Sequence, residues 1–313
     1  MHSGALGFVL AVVLAFSAVA GGCKRSAKVE PASAEKALAP VPAPDGLLSE
    51  IVVAHPDRTW ELVRSSLGGA PLVPSSPAVF LGDVLGLPVS ALEQLDLNVP
   101  MTGAMVDVRG DVATVIAIHV KDGSKFVDVV TSPTGRFTKG TTDDGIVGLV
   151  PAAAKEGTWA YGVSGNYLVV GQTRSALLKA APFVTRTLPS RTPPSEDIVA
   201  KASHQALSGP IIDRLKRLWD SWKQDREAED VQLRSKHGGS APDFGDPAQA
   251  LADIDAKAAK LFAILGDLEE ARLALTVEPK SELLDANFRV LVSMKPISEA
   301  GPAGREIAST YRG

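Results

Sequence analysis

The stretch that most constrains this chain is Val112–His119, VATVIAIH. Over Val112–Ile118 it is apolar on both faces, so neither face suits water and the strand belongs in the middle of a sheet. The residues before it fix the direction of a neighbour. Thr102–Val108 turns through Arg109-Gly110-Asp111 into Val112, and so short a turn joins antiparallel strands. A second hairpin follows. Thr158–Val163 alternates Trp159, Tyr161 and Val163, then turns through Ser164-Gly165 into Tyr167–Gly171.

Around these hairpins a strand-then-short-helix unit recurs. Ile51–Ala54 reads as a strand broken by His55-Pro56, with Asp57 placed to cap a helix carrying Trp60, Leu62 and Val63. After His119, Asp122 caps a helix with Phe126, Val127 and Val130; after Gly171, Thr173 caps Arg174–Ala181, which Pro182 stops. Thr185–Ser195 is a Pro-rich surface crossing, and Ile198–Ala202 is a further strand leading toward Leu207. No strict sequence period accompanies the units, so they are not a solenoid.

The second half changes period. Leu207, Ile211, Leu215, Leu218 and Trp222 form one helical stripe, flanked by Ile212 and Trp219 and continued by charged residues to Lys236. After a turn at His237–Pro247, Leu251, Ile254, Ala258, Leu261, Leu265 and Leu268 form a second, with Phe262 beside it. Two stripes joined by a short loop predict an antiparallel helical hairpin at about 205–270. Ala271–Glu278 and Leu284–Met294 finish the sheet, with Leu273, Leu275 and Val277 facing Phe288, Val290 and Val292. The expected class is α+β: a mainly antiparallel sheet, short capped helices on one face, and the helical hairpin as an insertion.

The front end is of another kind. Ala5–Ala20 reads ALGFVLAVVLAFSAVA, short of the ~20 residues a spanning helix needs and suited to an export signal. Gly21-Gly22-Cys23 follows, then Lys24-Arg25. The four residues Ala20–Cys23 resemble the lipid-attachment signal of bacterial lipoproteins. That resemblance implies cleavage before Cys23, a diacylglyceryl group on its thiol and a position in the cell envelope, with Lys24 leaning toward the outer membrane. Two other fates stay open. Ala18-Val19-Ala20 is also a site for ordinary secretion as a soluble protein, and an uncleaved apolar run would anchor the chain, although Lys24-Arg25 lies on the wrong flank for that. The expected division is a signal peptide over 1–22, a lipid-anchored Pro/Ala-rich linker over 23–46, and one α+β domain over 47–313.

Cys23 is the only cysteine, so once lipidated it leaves no thiol for a disulfide or a thiolate metal site. A net charge of −4 gives no general reason to bind nucleic acid, and 45% hydrophobic with 22% charged residues is a globular composition. No cofactor is expected, since phosphate-binding glycine loops, metallohydrolase helix motifs and calcium loops are all missing. Thr142-Asp143-Asp144-Gly145 has too few ligands for calcium, and Arg109-Gly110-Asp111 is accounted for by turn chemistry. Gly162-Val163-Ser164-Gly165 looks like a nucleophile elbow but is followed by Asn166 and joins two strands. His55 and His119 end two strands just before Asp57 and Asp122; were those strands neighbours, the four would converge on a metal or proton-transfer site. His204 and His237 read as surface. Trp219 and Trp222 fit a packed stripe or a partner-binding face. The globular part also resembles a group of uncharacterised exported bacterial proteins of unknown function through IVVAHPD, IAIHVKDGSKF and NYLVVGQTRSALLKA, which implies no activity.

These readings lead to a lipid-anchored, non-enzymatic interaction or scaffold module, held to the membrane by its lipid and meeting an envelope protein. A carrier or chaperone for an apolar ligand and a hydrolase using His55 or His119 are the alternatives. A Cys23→Ser chain is expected to leave the detergent phase when cell envelopes are partitioned; a variant that partitions like the parent would show that Cys23 carries no lipid.

Overall fold

The structure is a computed structural model that describes residues 39–66, 74–152, 159–236, 247–279, 286–298 and 301–303. The expected signal peptide, Cys23, the linker as far as Leu38, and His237 lie outside these residues. Ten strands form one sheet: β1 (Leu47–Val53), β2 (Met101–Val108), β3 (Asp111–His119), β4 (Phe137–Asp143), β5 (Ile146–Pro151), β6 (Ala160–Ser164), β7 (Tyr167–Gly171), β8 (Ile198–Ser203), β9 (Leu268–Pro279) and β10 (Ala286–Pro296). Their order is β10-β9-β8-β1-β2-β3-β7-β6-β5-β4. As its composition demands, β3 is interior, antiparallel to β2 (Thr102 opposite Ala117) and to β7 (Ile118 opposite Leu168). The β2–β3 turn is Arg109-Gly110, with φ of 58° and 89°. That left-handed pair matches the twist of the strands, and glycine is the residue that adopts it without strain.

The helices are α1 (Pro56–Ser66), α2 (Pro77–Leu85), α3 (Val89–Leu92), α4 (Gly123–Val130), α5 (Arg174–Pro182), α6 (His204–Leu207), α7 (Pro210–Lys236) and α8 (Pro247–Gly266). Contacts divide the described residues into two compact units, those of 39–201 with those of 272–293, and those of 202–271 with those of 294–303. The chain passes between them within β8, β9 and β10.

In the larger unit the α+β class is as expected, but the helices take both faces of the sheet rather than one. α2, α3 and α4 enclose Val53, Met101, Ile118, Leu168 and Val170 with Phe126 at the centre. α5 and a single π-helical turn, Phe183–Thr187, cover Ala104, Val106, Val115, Ala117 and Val169. The reason lies in β3. Its Ile118 points one way and its Val115 and Ala117 the other, so each set needs its own cover, each large side chain contributing about 1.5–3 kcal/mol. On the second face Ala176, Ala180 and Ala181 are fully buried, and their small size lets α5 lie close on the strands.

The caps follow the sequence at two places and depart from it at a third. Asp122 accepts from Lys125 N at 2.9 Å and Thr173 from Ala176 N at 3.1 Å. Asp57 is not a cap: Pro56 opens α1, a first-turn position where its missing N–H is no loss, and Asp57 falls inside the first turn. Two more boundaries differ. The chain beyond Pro182 stays helical through the π turn, with Thr185 buried and donating to Ala181 O at 2.7 Å, so the surface crossing starts only near Leu188. Leu268 opens β9 rather than closing α8, because Gly266 ends the helix. β10 is an edge strand, and its Val292 is exposed; the side chains of Phe288 and Val290 lie outside the described ones. The β4–β5 hairpin, α2 and α3 were not expected at all.

Before β1 the chain is already attached, since Thr187 Oγ1 accepts from Val41 N at 2.8 Å and donates to Val41 O at 2.6 Å. A second tie is buried. Asp197 accepts from Val277 N at 2.8 Å and from Thr59 Oγ1 at 3.5 Å, and its carbonyl accepts from Ala54 N at 2.8 Å. One residue thus links β1, α1 and β9.

In the smaller unit α7 and α8 run antiparallel, with Ile212 beside Gly266 and Trp219 bonded to Asp255. Leu207, Ile264, Leu268 and Ala303 form the cluster at its base. Asp197→Ala is expected to cost about 2–3 kcal/mol, because it strands the buried Val277 amide; a chemical-denaturation midpoint unchanged from the parent would contradict this role.

Candidate functional site

His55 and His119 stand at the same end of the sheet but are not on neighbouring strands, because β2 runs between β1 and β3. The segment Glu93–Asn98 bridges that gap. Leu95 pairs with Val120, Lys121 N donates to Gln94 O at 2.8 Å, and Asp96 N donates to His119 O at 2.9 Å. This brings Asp96 Oδ2 to 3.2 Å from His119 Nδ1, close enough for an ion pair but not aligned as a hydrogen bond. The imidazole also meets Tyr167 edge-on, centroids 5.1 Å apart. Asn98 donates to the other Asp96 oxygen, its backbone N at 3.4 Å and its side chain at 3.5 Å. Beyond Asn98 a cleft of about 150 Å³ is lined by His55, Asp57, Arg58, Leu97 and Asn98.

The expected foursome is therefore only partly assembled. Asp96, which the sequence reading passed over, takes the place given to Asp122, whose carboxylate is spent on capping α4. The signal for Asp96 was local: Asp-Leu-Asn before Val99-Pro100 is turn chemistry. Asp57 keeps much of its side chain in water, yet crowding by protein atoms, then the like charges of Asp96 and Glu61, push its pKa up. Among the described residues no group of three or more His, Cys, Asp or Glu is disposed to hold a metal ion. The cleft offers imidazole, carboxylate and guanidinium; no hydroxyl or thiol is among its lining residues.

The other sequence candidates are placed plainly. Ser164 is buried at the end of β6, paired with Tyr167 across a strand turn, and is no elbow. Arg109-Gly110 and Asp144-Gly145 are two-residue hairpin turns. His204 is exposed, with its Nδ1 2.9 Å from Leu268 O.

Trp219 and Trp222 stack with centroids 4.8 Å apart and planes 26° from parallel. Trp219 is half-buried and its indole donates to Asp255 Oδ1 at 2.7 Å; Lys223 reaches the same oxygen at 2.9 Å. The indole first, then Lys223, holds the Asp255 carboxyl below the usual aspartate range. Trp222 is 37% exposed, with the Arg226 guanidinium 5.7 Å above its ring. The two readings of this pair divide between its members: Trp219 packs and Trp222 is presented.

No protein-family model matches this chain, and neither do curated proteins or solved structures. No helix of the described residues is long and apolar enough to cross a membrane.

The raised pKa of Asp57 carries a sign. Folding favours the protonated form, so the ionised carboxylate weakens the fold at neutral pH and does not when protonated in both states. Asp57→Asn is expected to raise the thermal midpoint near neutral pH. The gain should fade as the pH falls from above the raised pKa toward the ordinary aspartate value and be gone below that value; an equal gain at all pH would rule out the electrostatic cause.

Proposed function

We propose that this chain is a lipid-anchored, non-enzymatic interaction module of the bacterial cell envelope, with the α7–α8 hairpin as the arm that meets an envelope protein. The observation that carries this reading is the Trp219–Trp222 stack. Asp255 and Lys223 lock one ring, and that ring holds the other in a fixed, solvent-facing position. A preordered tryptophan beneath an arginine loses little entropy when covered, which is the composition that dominates the energy of protein interfaces. The arm supports the same reading. Among its described side chains only Ile212 of α7 and Ile264 of α8 are buried, while Val231, Ile254 and Leu261 are 67%, 42% and 52% exposed. A helical pair that keeps so much apolar surface in water has a face to give to a partner.

The anchor supplies location. Cys23 as an acylated amino terminus places the module at a membrane, toward the outer membrane, and two or three chains hold it there without a membrane-binding face of its own. At the histidine rim, His119 is engaged with Asp96 at 3.2 Å, and the cleft beside it has no hydroxyl or thiol among its lining residues.

A photo-crosslinking residue at position 222, compared in living cells with one at the exposed Val150 of β5, tests the arm. One discrete adduct from position 222 and none from 150 is expected. No adduct from 222, or the same pattern from both, would overturn the proposal.

A further inference from the structure

Where β1, β8 and β9 lie side by side, the sheet face that carries the π turn is crossed by the proline-rich segment 188–195. A cleft of about 190 Å³ opens between them, room for about six water-sized groups. Val52, Thr102 and Val199 line it from the strands, and Pro189, Pro193 and Pro194 from the crossing segment. The prolines make a rigid apolar wall without N–H donors. The polar character comes from charge. Arg191, Lys201 and Arg272 also line the cleft, with Glu50.

Two of the three cations are held in place. Arg191 bonds Glu50 Oε2 at 2.7 Å and lies 5.5 Å from the Phe183 ring centroid. Arg272 bonds Glu196 Oε1 at 2.6 Å, which holds that carboxyl below the usual glutamate range. Lys201 is exposed and has no acidic partner among the described residues. Three cations against the two carboxylates leave one positive charge over an apolar floor. Oriented guanidiniums beside a free ammonium suit a carboxylate, and the floor suits a short hydrocarbon body.

We propose that this cleft is a binding site for a small monocarboxylate with an apolar body, its carboxylate set between Lys201 and the two guanidiniums and its hydrocarbon on Val52 and Val199 against the proline wall. The site is distinct from the arm, and its occupant is a small molecule rather than a protein. One net positive charge selects a monoanion over a dianion, and the lining selects a hydrocarbon body over a bare anion.

Hexanoate tests this on the full chain, by calorimetry and by amide shifts in the ¹⁵N spectrum. Saturable binding at about 1 mM or tighter is expected, weakened by salt. Shifts should centre on Val199, Lys201 and Arg272. Hexanol and hexylammonium should bind at least tenfold more weakly, as should acetate, and inorganic phosphate should not compete. Lys201→Gln, an exposed change that leaves the thermal midpoint in place, should cost about tenfold, and Lys201→Arg should restore binding. Hexanol binding as well as hexanoate would overturn the charge argument, and acetate binding as well would overturn the apolar floor. No saturable hexanoate binding, or shifts centred elsewhere, would overturn the site.

Discussion

β3 has no face that tolerates water, and the larger unit is built around that fact. One set of its side chains joins Phe126, Leu168 and Val170 beneath α2–α4, while the other joins Val106 and Val169 beneath α5. A sheet covered on one side only would leave Val115 and Ala117 in water. The close approaches follow from the same crowding. Gly123 opens α4 where a side chain would collide with the Gly165 carbonyl, and its N–H is taken by Asn166 at 3.0 Å. The turn between β6 and β7 and the start of α4 are therefore one packed corner.

The histidine corner and the arm differ in what they leave free. At the β3 end, the chain segment carrying Asp96 closes over the strand and spends most of its polar groups on itself: Asn98 on Asp96, Lys121 Nζ on Glu93 O at 2.7 Å, Asp57 N on Leu97 O at 3.3 Å. Such a network gives His119 an orientation and a partner and serves the fold as a strand-end lock. In the arm, the polar groups fix one indole and leave the other presented. The contrast is what moves the functional reading from the histidines to Trp222.

The sequence told most where one physical signal dominated. β2 and β3, β6 and β7, the caps Asp122 and Thr173, and the paired helices were legible because period-2 or period-3.6 patterning agreed with turn chemistry. β4 and β5 were not, because FTKGTTD and IVGLVP hold glycine, lysine and threonine without clean alternation, as suits strands at the margin of a sheet. Pro56 was read as a breaker although proline equally well begins a helix, and that one ambiguity misplaced Asp57. The one-face expectation failed because it counted helices rather than the apolar faces of β3. Of the candidate site, the two histidines and the two tryptophans were visible as residues, but their partners were not. Asp96 reaches His119 only through a long-range strand bridge, Asp255 reaches Trp219 from the opposite helix, and Arg272 joins Arg191 and Lys201 in one cleft from far along the sequence.

The molecule divides into a core that orders itself around β3 and an arm that keeps its surface for something else. Amide hydrogen exchange resolved by residue measures that division directly. The β2, β3 and β7 amides should exchange slowest, through global unfolding alone, while α7 beyond Trp222 exchanges orders of magnitude faster in the free protein. Equal protection of α7 residues 224–236 and of β3 would mean that the arm is already part of the core, and would contradict the account.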